Sequence, residues 1–127
     1  MTTRFAPRQG LVIVSAEVYG PRGQRAARLA LDTGAVTTMI STDILSAAGY
    51  DLSQPVSQAL IATASTIETV PRLVLMQITA LGQTKTDMSI LGYTVPAATR
   101  VDGVLGLDFL REQTLTIDFK QGLLTLA

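Results

Sequence analysis

The sequence predicts an all-β chain, and three observations carry that prediction. Its apolar residues come in short runs rich in Val, Ile, Leu and Thr, each bounded by Gly, Pro or polar residues. One segment, Thr114-Leu115-Thr116-Ile117-Asp118-Phe119, alternates with the period of a strand, which aims Leu115, Ile117 and Phe119 at one buried face and leaves Asp118 solvated on the other. Only two stretches read as helix, and both are short.

Gly10 opens a β-branched run, Leu11 to Tyr19, which Gly20-Pro21-Arg22-Gly23 closes with a hairpin turn. Gln24 to Leu31 is the returning strand, and it ends on Asp32. Strand-like composition resumes over Val36 to Ile40. Ser41 or Thr42 can cap a short helix through Asp43 to Ala48, with Asp43 favouring its first turn and Gly49 stopping it. Tyr50 to Pro55 reads as a polar connector.

Val56 to Ala62 and Ile67 to Leu81 then read as long extended runs joined by the small residues Thr63-Ala64-Ser65-Thr66, a hairpin that projects from the body. Pro71 interrupts the second run and suits an edge strand. Such an arm beside a carboxylate is a candidate lid; an ordinary edge hairpin is the bland alternative. Thr84 to Leu91 is a further strand, and Gly92 to Arg100 a loop. Val104 and Leu105 form a short buried strand, Gly106 lets another backbone approach, and Leu107 and Leu110 lie on one side of a helix running to about Gln113. The terminal run, Leu123 to Leu126, is apolar enough that pairing with another chain is expected to cover it. No repeat or linker divides the sequence, so residues 1–127 read as a single domain.

Composition narrows the chemistry. With 47% hydrophobic and 16% charged residues the chain is no disordered segment, and some apolar surface is expected to be hidden in an oligomer. Ten basic and ten acidic residues cancel without a basic cluster, which argues against nucleic acid as a partner. There is no Cys and no His, so thiol nucleophiles, Ser-His-Asp triads, haem ligation and the common zinc sites are excluded. Carboxylates remain as the acid-base groups. A lysine base or a carboxylate-bound Mg²⁺ or Ca²⁺ stays formally open, but Lys85 and Lys120 are the only lysines, both in turn-like settings, and no spaced Asp cluster resembles a calcium loop. No cofactor and no metal are therefore expected. Met1 to Pro7 lacks an apolar signal region and no apolar run is long enough to span a bilayer, so a soluble, cytoplasmic chain is expected, with a membrane-anchored parent left open.

The stretch with chemical potential is Leu29-Ala30-Leu31-Asp32-Thr33-Gly34-Ala35. A short hydrophobic strand that delivers an acid onto a Gly-containing turn holds the carboxyl group at the edge of a core, where its charge must be satisfied or shared. Two copies of Asp32 meeting across a two-fold axis would share it, since carboxylates in contact cannot both ionise. Taken alone, Asp-Thr-Gly also fits an ordinary turn. Asp43 reads as a helix N-terminal charge, Asp102 as a structural hydrogen-bonding residue beside the buried strand, and Asp108 as a partner of the C-terminal helix or of a second chain.

Asp32-Thr33-Gly34-Ala35 followed about seventy residues later by Val104-Leu105-Gly106 resembles the retropepsin-like aspartic proteases, half-sized relatives of pepsin that include the retroviral proteases. Thr38-Met39-Ile40-Ser41 and Val101 to Leu110 also look like bacterial or cellular single-domain members, and the resemblance spans about Leu11 to Leu126. It implies a closed, pepsin-like β-barrel half with one short C-terminal helix, acting as a two-fold homodimer. Each chain would supply one catalytic Asp32 to an endopeptidase site for peptides or unfolded proteins, without a cofactor. By the same resemblance Thr33 would reach across the axis, Gly34 would leave room for substrate backbone, Ala35 would line the floor, and Gly106 would back the Asp loop. Thr63 to Thr66 would be the tip of a flap. Two departures stand out: Val36 occupies a position often taken by Ser or an acid, and the tip has no Gly where retroviral tips are Gly-rich. The alternative function is a catalytically silent dimeric module of the same fold that binds peptides or mediates assembly; a ligand-binding β-barrel leaves the paired motifs unexplained.

Overall fold

Alternation along the first hairpin builds one wall of the molecule. Strands β2 (Ile13–Gly20) and β3 (Gly23–Leu31) pair antiparallel from Ile13 opposite Ala30 to Gly20 opposite Gly23, and Val14, Ala16, Val18, Ala27 and Leu29 turn inward. The structure, a computed structural model, describes residues 1–62 and 64–127. Ahead of this hairpin lies β1 (Thr2–Arg4); after it come β4 (Met39–Ser41), α1 (Thr42–Ala47), β5 (Ser57–Ala62), β6 (Ile67–Ala80) and β7 (Gln83–Tyr93). A 3₁₀ turn (Ala97–Thr99) leads to β8 (Gly103–Leu105), α2 (Leu107–Leu110), β9 (Leu115–Asp118) and β10 (Leu123–Leu126).

The larger sheet has seven strands in the order β2-β3-β8-β4-β7-β6-β5, and a further pairing of β2 with β6 closes it. Six strands thus form a ring, while β5 hangs outside on β6. Closure buries Leu29, Ile40, Leu45, Leu75, Ile78, Ile90, Leu105 and Phe109 completely. This is an all-β, closed barrel, as the sequence predicts. Ser41 caps α1, its hydroxyl accepting the Asp43 N–H at 3.2 Å, and Gly49, at φ +100°, supplies the left-handed residue that ends it. Among the described residues no helix is long and apolar enough to cross a membrane.

Several local expectations change. The C-terminal strand needs no second chain to cover it: β10 lies between β1 and β9 in a separate three-stranded sheet, with Leu124 and Leu126 buried. The sequence does not predict strand β1, because three residues carry no period of their own. The second helix stops after Leu110 rather than near Gln113; Arg111 is extended and Glu112 adopts φ +65°, and Phe109 and Leu110, not Leu107, are its buried residues. Phe119 is 62% exposed, and its ring meets Phe5 edge-on at 6.0 Å instead of entering the core. Asp118 caps the following turn, accepting the Lys120 and Gln121 N–H groups at 3.0 and 2.9 Å. Finally, Pro71 does not break β6. It sits opposite Gln58 of β5, and the β7 ladder begins at the next residue, Arg72 opposite Leu91, so its missing N–H removes no bond from the barrel.

Candidate active site

The strands that enter and leave the Asp32 loop do not pair with each other. Strand β8 is inserted between them, parallel to β3 (Leu29 opposite Gly103 through Leu31 opposite Leu105) and antiparallel to β4 (Met39 opposite Val104). The loop 32–38 must therefore straddle the end of β8, and backbone bonds lock it there. The Asp32 N–H donates to the Leu105 carbonyl at 3.0 Å, the Leu107 N–H to the Ala35 carbonyl at 2.8 Å, and the Asp108 N–H to the Val36 carbonyl at 3.2 Å.

Within the loop the Gly34 N–H donates to Asp32 Oδ1 at 2.8 Å, and the Ala35 N–H to the Asp32 carbonyl at 3.2 Å. These bonds orient a half-buried carboxyl group at the end of a buried strand, with Thr33 and Gly34 exposed beside it. Gly106 lies directly beneath. A Cβ there would stand 2.7 Å from the Ala35 carbonyl oxygen and 3.1 Å from the Thr37 carbonyl carbon, so only a residue without a side chain lets the loop settle.

One buried polar residue organises this junction. Thr38 is fully buried; its hydroxyl accepts the Gly106 N–H at 3.0 Å and donates to Asp108 Oδ1 at 2.6 Å, while its N–H donates to Asp108 Oδ2 at 2.9 Å. Asp108 thus serves its own chain's Asp loop, where the sequence reading gave it to the C-terminal helix or a second chain. Asp102 keeps a structural part: its Oδ2 accepts the Arg28 N–H at 2.8 Å.

A cleft of about 460 Å³ separates the loop residues Gly34 to Thr37 from Ala59 to Ala62 of β5, with Met39, Arg72 and Leu91 completing its walls. Val36 and Leu60, 68% and 74% exposed, present apolar surface on its two sides. Of the four residues expected at the tip of the arm, Ala64, Ser65 and Thr66 are exposed, and Thr63 lies outside the described residues. The structure brings together Asp32, Thr33, Gly34, Ala35, Val104, Leu105 and Gly106 around one junction. It holds one Asp of this kind per chain.

Away from the cleft, Tyr50, which the sequence places in a polar connector, braces the barrel wall. Its hydroxyl donates to the Tyr19 carbonyl and accepts the Met76 N–H at 2.8 Å, bridging β2 and β6 where their ladder ends. Burial pushes the phenol pKa up, against a smaller opposite effect of the Met76 bond. Next to it, hydrogen bonds from the Ser53 hydroxyl and N–H hold the exposed Asp51 carboxyl below its ordinary value.

Comparison with known proteins gives the family and the fold. Residues 22–112 match the family described as "gag-polyprotein putative aspartyl protease". The match covers most of the chain, from the first hairpin to the end of α2, and the chain belongs to the retropepsin-like aspartic protease family. No curated protein matches the sequence. Among solved structures, a retropepsin-like aspartic protease from Rickettsia conorii superposes with a TM-score of 0.73 at 17% identity, covering 100% of this chain and 91% of that one.

Proposed function

We propose that this chain is an aspartic endopeptidase whose active site is completed by a second copy of itself, each copy supplying one Asp32. The observation that carries the reading is the seating of Asp32. Its carboxyl group is oriented by the Gly34 N–H, on a loop pinned to β8 and α2, beside a peptide-sized cleft under an extended arm. A module that only bound peptides would have no use for an acid so placed.

The chemistry follows from symmetry. Two identical carboxyl groups at a two-fold axis hold one proton between them. The ionised member takes a proton from a bound water as that water attacks the scissile carbonyl; the protonated member donates a hydrogen bond to the developing oxyanion and later helps protonate the leaving nitrogen. No acyl-enzyme forms. The two titrations belong to the pair rather than to either chain. Thr33, exposed beside Asp32, reaches across to the other copy's loop, and Gly34 and Ala35 leave room for substrate backbone. The β5–β6 hairpin covers the bound segment.

The test is digestion of an unfolded protein by the purified chain, fastest at acidic to mildly acidic pH and sensitive to pepstatin-like mimics of the tetrahedral intermediate. Asp32→Asn is expected to abolish cleavage while leaving the sedimenting dimer intact. Cleavage that survives this substitution, or an active strict monomer, overturns the reading; a stable dimer that never cleaves returns it to the peptide-binding module.

A further inference from the structure

We infer that Arg72 selects substrates carrying an acidic side chain close to the bond that is cut, an inference that rests on the protease reading above. Among the described residues lining the cleft beneath β5, Arg72 alone is charged, and Val36, Met39, Leu60 and Leu91 around it are apolar. The ladder fixes its place. Arg72 lies opposite Ser57 on β5 and opposite Leu91 on β7, at the point where the arm joins the barrel. Leu91 in turn donates its N–H to the Thr38 carbonyl at 3.1 Å, which ties this point to the Asp32 loop.

The guanidinium is poorly satisfied where it stands. Arg72 is half-buried, and its one side-chain hydrogen bond among the described residues is a long 3.4 Å contact to the neutral Ser89 hydroxyl, with no carboxylate within ion-pair distance. A guanidinium carries five donors and stays charged at every working pH. When an extended peptide fills the cleft and displaces water, an unpaired cation loses solvation that only an anion restores well. The matching group is a carboxylate, which accepts two parallel N–H bonds from the planar fork. A segment with apolar side chains toward Val36 and Leu60 and one Glu or Asp within reach of Arg72 therefore complements the cleft. In a two-fold dimer an Arg72 stands on each side of the scissile bond, so acids on either side are read.

A packing role alone, with the Arg72 stem covering Leu91 and the guanidinium idle, is separated by Arg72→Met, which keeps a long apolar stem and removes the charge. Wild type, Arg72→Met and Arg72→Lys are each given a proteome-derived peptide library at about pH 6, where peptide Glu is ionised. Cleaved sites are read by mass spectrometry. Wild-type sites are expected to be enriched in Glu and Asp near the cut. A Glu peptide is expected to exceed its Gln twin about tenfold in kcat/KM at low salt, an advantage that shrinks as salt is raised. In Arg72→Met the ratio of kcat/KM between the Glu and Gln peptides is expected to fall to about one, whatever the change common to both peptides; Arg72→Lys keeps part of the preference. Wild-type cleavage without acidic enrichment, or enrichment undiminished in Arg72→Met, overturns the assignment of Arg72 and leaves the protease standing. Failure of wild type to cleave any peptide removes the protease reading, and the role of Arg72 with it.

Discussion

Thr38 and Asp108, seventy positions apart, meet in a two-point contact: Asp108 Oδ2 accepts the Thr38 N–H at 2.9 Å and Oδ1 accepts the Thr38 hydroxyl at 2.6 Å. The same hydroxyl accepts the Gly106 N–H at 3.0 Å, so one side chain joins the end of the Asp32 loop to β8 and to α2. Thr38→Val fills nearly the same space and deletes the two bonds of the hydroxyl, while the backbone N–H keeps its bond to Asp108 Oδ2. It leaves the buried Gly106 N–H and a carboxylate oxygen without a partner, at a cost of about 2–4 kcal/mol. Urea unfolding measures the loss. Thr38→Ser keeps the hydroxyl and removes one buried methyl, so its cost is expected near 1 kcal/mol, and a serine variant as unstable as the valine one would show that packing, not the hydroxyl, holds the junction.

Gly106 is required for space, not for conformation, since its φ of −101° is open to any residue. Gly106→Ala puts a methyl 2.7 Å from the Ala35 carbonyl oxygen, a backbone atom held by the Leu107 N–H. The loop must lift. Relief of such a clash costs about 1–3 kcal/mol, and the displacement falls on the residues that orient Asp32. Peptide cleavage is therefore expected to drop by more than the fraction of unfolded protein accounts for, under conditions where circular dichroism reports a folded chain. Full activity in a folded Gly106→Ala protein would mean that the loop tolerates the shift.

What could be read in advance divides along the range of the interactions. The hairpin of β2 and β3, the cap of α1 at Ser41 or Thr42 and its stop at Gly49, and the Asp32-Thr33-Gly34 turn are written in neighbouring residues and were legible, with the structure choosing Ser41 as the cap. The close approach under Gly106 was legible because a glycine following Val104-Leu105 has few other uses. By contrast, the Thr38 contact depends on a residue seventy positions away. The early end of α2 depends on Glu112 entering the left-handed region with neither Gly nor Pro to announce it. Phe119 obeyed the strand period but left the core, because it follows the end of β9 at Asp118 and meets Phe5 outside. Arg72 looked like an ordinary strand residue until β5 and the Asp loop were seen to form a cleft around it.

The Tyr50 bridge gives the fold a signature at alkaline pH. Burial raises its phenol pKa above the ordinary 10.0, so the neutral form is favoured in the folded state. By linkage, that contribution is fully present below about pH 10 and is lost as pH rises through the higher folded value. Tyr50→Phe removes both the titration and the bonds to Tyr19 and Met76. The variant is expected to be less stable by about 1 kcal/mol at neutral pH, and to lose less further stability than wild type between pH 9 and roughly 11. Thermal melts across that range provide the comparison. Parallel alkaline slopes for the two proteins would show that some other group governs the loss.

The three-stranded sheet makes a separate demand on the first residues. Thr2, Thr3 and Arg4 pair with Thr125, Leu124 and Leu123, and this short strand is what covers one edge of β10. Its own side chains contribute little burial, so its value lies in closing a ladder whose exposed edge would otherwise present unpaired N–H and C=O groups beside the buried Leu124 and Leu126. Removing residues 1–4 takes no strand from the barrel or from the Asp32 junction, since β1 pairs with β10 in the other sheet, although it also removes Met1, which packs against Gly82 in the β6–β7 turn. The shortened chain is expected to match the wild type in any peptide cleavage per folded molecule, to melt a few degrees lower, and to self-associate beyond the wild-type assembly through the uncovered edge as concentration rises. Sedimentation velocity over a concentration series reads that association. A truncated chain that stays at the wild-type size while melting lower would mean that β9 and local side chains shield the edge of β10 without help from β1.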